Sequence, residues 1–271
     1  MNVNNIPICD DINDLQKLYE CFSKSGFCYI PIYNINFVNQ IYDVVKDYFN
    51  EDNHLKKNNP MNKDGIGYIP KNRYSKSANI TEIKEQLSYR PNEININEKY
   101  NNHFNKYHLF ISFIAKQIFN NLLKYLNIPN YYNNSFNTLT ILHYKKDNDI
   151  SNDLHIGIRP HSDWGFITVL WTDNDGLQIK NNDGIWIDVP TIPNHFIINI
   201  GDMLEILSSG KLKSTVHQVK VKDEKYSMAF FYEPSLDTII KPDNITGKYS
   251  EISFKDYLDK KINESYMETY N

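Results

Sequence analysis

Residues 160–190 read PHSDWGFITVLWTDNDGLQIKNNDGIWIDVP, and this stretch decides the fold. Short runs of β-branched and aromatic residues alternate in it with the turn pairs Asp175-Gly176 and Asp183-Gly184. Apolar runs separated by Asp-Gly pairs are typical of antiparallel strands joined by tight hairpins. The stretch therefore predicts three consecutive strands, at Phe166–Trp171, Leu177–Ile179 and Ile185–Val189.

The same pattern extends outward from this stretch, beginning at Asn137. Short strand-like runs with turn residues between them are predicted at Thr138–Tyr144, His195–Ile200, Ser214–Val221 and Tyr226–Tyr232. Many short strands at regular spacing indicate a β-sandwich or barrel of jelly-roll type. We therefore predict a mainly β protein with a helical N-terminal part, in which a double-stranded β-helix (jelly roll) is flanked by α-helices.

Helices dominate the predicted structure before residue 130. Apolar residues at helical spacing predict one helix from Asp11 to Ser25, a second capped by Asn36, and a long one from about Tyr100 to Leu126. The inward residues predicted for the long helix are Phe110, Phe113, Ile114, Ile118 and Leu122. A short strand at 27–32 and a C-terminal helix at Ser253–Tyr266 complete the prediction. We expect a single domain, with parts at 1–130 (mainly helical), 131–245 (β core) and 246–271 (helical).

Composition excludes several classes of function. The chain has 271 residues and a net charge of −4, with both signs interspersed. A nucleic-acid partner would need a basic stripe, so none is expected. No apolar run reaches the length of a membrane span, and the first residues lack the pattern of a signal peptide. Three cysteines without a C-x-x-C pair suit a reducing compartment. We expect a cytoplasmic monomer that acts on a small molecule.

Three side chains stand out as candidate metal ligands. His161 and Asp163 lie two residues apart, so on extended backbone both point to the same side. His217 lies in a later predicted strand. Two histidines and one carboxylate on one face of a small barrel form a facial triad, which suits Fe(II) and leaves coordination positions open. The residues of an H-x-D motif taken alone are more often ordinary core or surface residues than metal ligands. The position of this motif among predicted strands, with a later strand that carries a histidine, makes the two interpretations about equally strong.

The surrounding motifs resemble a known family. The stretch 160–190 is similar to the H-x-D strand and following hairpin of the isopenicillin-N-synthase-like branch of the 2-oxoglutarate/Fe(II) dioxygenases. Residues 199–219, NIGDMLEILSSGKLKSTVHQV, resemble that family's segment with the distal histidine, and KYSMAFFYEP at 225–234 resembles its R-x-S strand. The N-terminal half matches more loosely. The resemblance spans nearly the whole chain and is most specific in the second half.

This resemblance implies roles for particular residues. His161, Asp163 and His217 are the implied iron ligands. Lys225 and Ser227 fall where the family has the arginine and serine that hold the distal carboxylate of 2-oxoglutarate, and Tyr144 matches a tyrosine that helps to hold it. The sequence departs from the family in two places, because lysine replaces that arginine and Leu142 replaces an asparagine. A lysine offers one mobile charge where arginine offers a rigid fork. The alternative for Lys225 is an exposed hairpin residue. Arg159 is either a second cation of the site or a residue of its solvated rim.

The implied activity is that of a 2-oxoglutarate- and Fe(II)-dependent dioxygenase. Such an enzyme hydroxylates or desaturates a small-molecule substrate and forms succinate and CO2, with ascorbate as a candidate reductant. Two alternatives remain open. One is an Fe(II) oxidase of the same fold that does not use 2-oxoglutarate, and the other is a non-catalytic jelly roll that binds a metal or ligand. The residues that select a substrate are expected in the loops 65–76 and 232–244.

Overall fold

A computed structural model of the chain describes residues 6–71, 73–75, 80–130, 136–145, 156–242 and 248–270. Its helices are α1 (Leu15–Ser25), α2 (Ile35–Asn50), α3 (Asn53–Lys57), α4 (Glu98–Leu126), α5 (Asp202–Leu207) and α6 (Phe254–Tyr270). Its strands are β1 (Phe27–Pro31), β2 (Gly67–Ile69), β3 (Arg73–Ser75), β4 (Ile80–Glu82), β5 (Lys84–Tyr89), β6 (Thr138–Tyr144), β7 (Ile156–His161), β8 (Ile167–Thr172), β9 (Leu177–Lys180), β10 (Trp186–Val189), β11 (His195–Ile200), β12 (His217–Lys220), β13 (Lys225–Tyr232), β14 (Ile239–Ile240) and β15 (Ile252–Ser253).

Most strands belong to two sheets. The larger sheet has the order β1-β11-β8-β13-β6-β5-β2, and the smaller has the order β10-β9-β12-β7-β4-β3. Neighbours among these described strands pair antiparallel, apart from a parallel pair between β4 and β7. The strands β14 and β15 form a separate ribbon. The prediction of a mainly β protein with flanking helices is confirmed, and each strand predicted between 138 and 232 is present with end points shifted by up to three residues.

The two sheets also contain strands from the first 130 residues. β1 pairs with β11, and β5 pairs with β6, so both extend the larger sheet. β5 and β7 were not predicted. In β5, Lys84 and Gln86 face a cavity while Leu87 and Tyr89 face the helical layer. Its cavity-facing side chains are polar, so the strand lacks the apolar residues that a strand between two packed layers usually shows.

The helices α1 to α4 begin after asparagine or aspartate caps, and two of the predicted helix starts were wrong. Asn34, not Asn36, caps α2 by accepting a hydrogen bond from the backbone N–H of Phe37. Asp14 caps α1 in the same way, so this helix begins at Leu15 instead of Asp11. Asn97 caps α4. In each case the capping side chain satisfies an N–H group that has no carbonyl partner within the helix.

The main hydrophobic core lies between the helices and the outer face of the larger sheet. α4 contributes a continuous buried stripe of nine residues: Tyr100, Phe104, Tyr107, Ile111, Ala115, Ile118, Phe119, Leu122 and Leu123. The prediction that Phe113 faces inward was wrong, because its side chain is 64% exposed. Two residues along a helix correspond to about 200° of rotation, so Phe113 lies nearly opposite Ile111 and Ala115 and points to solvent.

A second, smaller core lies between the two sheets. It contains residues from both of them: Phe27, Tyr29, Ile83, Leu142, Tyr144, Leu177, Ile179, Val189, Ile197, Val219, Val221 and Ala229. The larger sheet therefore packs on helices with one face and on the smaller sheet with the other. None of the described helices combines the length and the apolar character that crossing a membrane would need.

Candidate active site

A cavity of about 450 Å³ lies between the two sheets. Cavities of this size are typical of sites for small ligands. The structure brings the predicted metal ligands and the predicted cosubstrate residues together in this one chamber. Its walls include all six of them: His161, Asp163, His217, Tyr144, Lys225 and Ser227.

The three candidate ligands converge on one point. His161 ends β7 and His217 begins β12, and these two residues are direct partners in the antiparallel pairing of the strands. The Nε2 atoms of the two histidines lie 3.6 Å and 3.7 Å from Oδ1 of Asp163. One potential ligand atom from each residue lies within 4.8 Å of the others. This spacing matches a single ion bonded to all three.

Hydrogen bonds fix which histidine nitrogen faces that point. Nδ1 of His161 lies 2.9 Å from the carbonyl oxygen of Arg159, and Nδ1 of His217 lies 3.0 Å from that of Thr215. A carbonyl oxygen accepts, so each Nδ1 carries the proton and donates. Each Nε2 then has a free lone pair directed at Asp163. This arrangement of histidine ligands is common at protein metal sites.

Two hydrogen bonds to the oxygen that faces away from the histidines orient the Asp163 carboxylate. Its Oδ2 atom accepts hydrogen bonds from the Thr168 hydroxyl at 2.5 Å and from Nδ2 of Asn199 at 2.7 Å. Oδ1 remains directed toward the histidines. Thr168 lies on β8 and Asn199 on β11, so the sheet itself holds the carboxylate. Neither residue was predicted as part of the site, although both occur inside the motifs that resemble the family.

The charge states also suit a divalent cation. Burial, with a contribution from His217, lowers the pKa of His161 to about 4, so its ring is neutral at pH 7. Burial alone would raise the pKa of Asp163, but the two histidines and its hydrogen bonds hold it below the ordinary range. Two imidazoles and one carboxylate form the donor set of non-haem Fe(II) centres.

Close backbone packing positions the loop that carries Asp163. A Cβ atom at Gly201 would lie 2.4 Å from the carbonyl oxygen of Gly165, so only glycine fits there. The next residue, Asp202, donates its backbone N–H to the carbonyl oxygen of Asp163 and accepts from the Ser162 hydroxyl. The start of α5 is thereby joined to the H-x-D loop.

The predicted cosubstrate residues lie at one end of the cavity. Lys225 begins β13 and pairs with Tyr144 at the end of β6. Ser227 follows on the same face, and its hydroxyl lies close enough to the Tyr144 hydroxyl to influence the pKa of Tyr144. The residues of β13 alternate between two faces: Lys225, Ser227, Ala229 and Phe231 face the cavity, while Tyr226, Met228 and Phe230 belong to the outer core.

Lys225 is a buried cation with backbone partners. Its side chain lies inside the protein, so the alternative of an exposed hairpin residue was wrong. Nζ donates to the carbonyl oxygens of Asn174 at 2.7 Å and Asp175 at 3.3 Å. Burial lowers the pKa of Lys225 to about 8, against the opposing effect of Asp173 and Asp175. An ammonium group has three N–H donors, so one remains for a bound molecule.

A second polar group lies at the opposite end of the cavity. Arg90 donates from Nη2 to the Thr138 hydroxyl at 3.0 Å, and this hydroxyl donates to Oε2 of Glu233 at 3.2 Å. The guanidinium of Arg90 stacks on the ring of Phe136 at 3.3 Å and forms an ion pair with Glu93 at 2.8 Å. Burial raises the pKa of Glu233 to about 8, although the Arg90 charge opposes this.

The sequence did not predict that Arg90, Thr138 and Glu233 come together at this end of the cavity. Residues 90, 138 and 233 are far apart along the chain, and no motif joins them. Of the other residues considered there, Leu142 lines the apolar part of the cavity, and Arg159 lies beside Glu82 at the Lys225 end. Residues 72, 76–79 and 243–247, which fall in or beside the predicted selecting loops, lie outside the described residues.

The fold and these side chains define a jelly-roll protein with a candidate mononuclear metal centre. Residues 130–234 match the model of the 2OG-Fe(II) oxygenase superfamily. That segment contains all six predicted site residues, and the resemblance seen in the sequence is confirmed over it.

Individual relatives agree with this assignment. Over 121 residues the chain is 40% identical to 1-aminocyclopropane-1-carboxylate oxidase 5 of Arabidopsis thaliana, covering 41% of this chain and 39% of that protein. Over 91 residues it is 44% identical to a homoarginine-6-hydroxylase of Glycine max, covering 32% and 28%. The matched segments thus span well under half the length of these relatives.

Solved structures show that the fold is shared along the chain. A full-length protein of Neurospora crassa, in complex with alpha-KG and thymine, superposes with a TM-score of 0.85 at 21% identity, covering 98% of both chains. A putative 2OG-Fe(II) oxygenase family protein from Caulobacter crescentus superposes with a TM-score of 0.82 at 22% identity, covering 97% of this chain and 99% of that one.

Proposed function

We propose that this protein is a 2-oxoglutarate- and Fe(II)-dependent dioxygenase that hydroxylates or desaturates a small molecule. The observation that carries the proposal is the convergence of His161, Asp163 and His217 at one point in a cavity whose far wall holds a buried lysine. The family of residues 130–234 supports it. We further propose that residues 1–271 form one oxygenase domain. A monomeric state and a cytoplasmic compartment stay predictions.

In this proposal the metal is Fe(II), held by Nε2 of His161, Nε2 of His217 and Oδ1 of Asp163. Three protein ligands would leave further coordination positions open for 2-oxoglutarate and O2. Bound there, the metal and cosubstrate supply an oxidant strong enough to attack a C–H bond, with succinate and CO2 as the coproducts. Ascorbate is the proposed reductant that keeps the iron ferrous.

The chain's own residues orient the cosubstrate. Lys225 presents its remaining N–H to the distal carboxylate of 2-oxoglutarate, and Ser227 and Tyr144 present hydroxyl groups beside it. The keto acid is thereby directed along the strand toward the metal ligands. Leu142 and Leu170 line the cavity between the two ends, and apolar walls limit the access of water to the reacting atoms.

The competing candidate is an oxidase that draws its electrons from the substrate without a keto acid. The observation that favours this candidate is the lysine at position 225, where the family has an arginine that binds the keto acid with two hydrogen bonds. One of the relatives also bears the name of an oxidase. Consumption of O2 with substrate but no formation of succinate would favour this candidate.

The test is metal-dependent turnover of 2-oxoglutarate. Purified protein loaded with Fe(II) is mixed with 2-oxoglutarate and O2, and succinate is quantified. Slow formation of succinate is expected even without the natural substrate. His217→Ala should abolish both succinate formation and tight metal binding, because it removes one of three ligands. His195→Ala is the matched control, since that histidine lies on β11 outside the cavity lining, and both properties should persist.

A further inference from the structure

The end of the cavity opposite Lys225 contains a carboxyl group that forms no direct ion pair with another described residue. Glu233 follows the last residue of β13, so about 25 Å of extended strand separates it from Lys225. It lines the cavity, and among the described residues its hydrogen-bond donor is the Thr138 hydroxyl, which contacts Oε2. Oε1 has no partner among them.

The backbone brings this side chain close to the metal ligands. A Cβ atom at Gly165 would lie 2.9 Å from Cγ of Glu233, so the absence of a side chain at position 165 makes room for the glutamate. Gly165 is two residues after Asp163. Glu233 is therefore adjacent to the loop that carries the carboxylate ligand, at the side of the cavity away from the proposed 2-oxoglutarate position.

The positive charge of Arg90 is shared among several acidic groups. Its guanidinium forms an ion pair with Glu93 at 2.8 Å, and the charges of Glu233 and Asp64 also act on it. Among the described residues, the hydrogen-bonded connection between Arg90 and Glu233 runs through the Thr138 hydroxyl. The other cations that line the cavity are at the Lys225 end, where Lys84 pairs with Glu82 at 3.2 Å.

Apolar side chains surround this carboxyl group. Phe136 and Phe231 line the cavity beside it, and Leu258 and Ile262 extend from α6 to cover the same cavity. Burial in this environment is the main reason for the raised pKa of Glu233. A carboxyl group in apolar surroundings gains from a bound cation, because the cation offsets the desolvation of the ionised form.

We propose that the substrate carries a basic nitrogen, as an ammonium or guanidinium group on an apolar stem, and that Glu233 binds this nitrogen. This inference rests on the proposed function, since it places the substrate beside the metal ligands. The carboxyl group fixes one end of the substrate while the stem extends through the apolar region toward His161 and Asp163. Arg90 and Thr138 act as positioning residues that hold the carboxyl group.

Binding of simple probes tests the proposal without turnover. The protein is loaded with Mn(II) and 2-oxoglutarate, and titration calorimetry compares hexylammonium and hexylguanidinium with hexanol and hexanoate. A cation should bind about ten- to a hundred-fold more tightly than the alcohol, the range of one charged hydrogen bond, and hexanoate should bind more weakly still. Glu233→Gln keeps the shape of the side chain and should remove the preference for the cations.

The control variant is Glu20→Gln, which removes one negative charge from the exposed side of α1 and should leave all four affinities unchanged. The proposal is overturned if the alcohol or the carboxylate binds as tightly as the cations, if Glu233→Gln retains the preference, or if neither cation binds at millimolar concentration. A separate assay of succinate formation distinguishes a failure of the proposed function from a failure of the proposed substrate class. Loss of that activity with cation binding intact contradicts the proposed function alone.

Discussion

Replacing Lys225 by alanine should weaken the binding of 2-oxoglutarate by about ten- to a hundred-fold. Two of the three N–H groups of Lys225 already bond to the carbonyl oxygens of Asn174 and Asp175, so one charged hydrogen bond remains for the cosubstrate. Such a bond contributes about 1.5–3 kcal/mol, and each 1.4 kcal/mol changes a dissociation constant about tenfold.

The assay is a titration of 2-oxoglutarate against succinate formation, with metal content measured on the same samples. Lys84→Ala is the matched control, because Lys84 lines the same end of the cavity and is also a register partner of Tyr144. Its charge is already paired with Glu82, so a change of less than about threefold is expected. An unchanged requirement in Lys225→Ala, or a larger loss in Lys84→Ala, would refute this reasoning.

The role of Lys225 can also be measured through the pH dependence of 2-oxoglutarate binding. Burial lowers its pKa to about 8, so in the empty protein the ammonium is present below that pH and is lost above it. Affinity for 2-oxoglutarate should therefore fall as the pH rises through about 8, approaching tenfold per pH unit. Lys225→Arg should remove this dependence, since arginine remains charged throughout. A similar fall in the arginine variant would mean that another group is responsible.

The remaining predictions concern the support of the site and of the fold. Asn199→Ala removes one of two hydrogen bonds to the Asp163 carboxylate and should weaken metal binding about ten- to a hundred-fold, measured by competition with a chelator; unchanged affinity would contradict it. Gly201→Ala places a Cβ atom 2.4 Å from a carbonyl oxygen and should lower the free energy of unfolding by about 1–3 kcal/mol in urea denaturation; full stability would mean that the loop shifts freely. His143→Ala removes a buried ring that contacts two carboxylates, at 2.9 Å and 2.8 Å, and should cost about 3 kcal/mol by the same method, whereas metal affinity should not change.

The β core was predictable because its strands are short, apolar and separated by Asp-Gly turns. The strands that escaped prediction have a different composition. β7 carries the glycine and proline of IGIRPH, and glycine and proline are unfavourable in most strands. Lys84 and Gln86 of β5 are polar because they face a cavity. The start of α2 was mispredicted for a local reason. Asn34 and Asn36 are both asparagines and could equally well cap a helix, so only the backbone conformation decides which of them does.

The candidate metal ligands could be singled out in the sequence because two of them lie in one H-x-D motif and the third in a segment that resembles a known family. The residues that orient them, Thr168 and Asn199, have side chains common in any strand, and their role depends on the register of β8 and β11. Glu233 falls within the loop 232–244 that was expected to select the substrate, but neither Glu233 nor Arg90 was singled out. Their relation to the site depends on where distant strands end, which no local pattern contains.

The proposed metal and cosubstrate sites can be measured together by anaerobic equilibrium titration of the metal-free protein with Fe(II), and then with 2-oxoglutarate. The structure predicts one tightly bound Fe(II) per chain, held by His161, Asp163 and His217. It also predicts that 2-oxoglutarate binds tightly only when the metal is present, and that admission of O2 then forms succinate. Binding of 2-oxoglutarate that is unaffected by the metal, or one Fe(II) per chain still bound tightly in His217→Ala, would contradict the account.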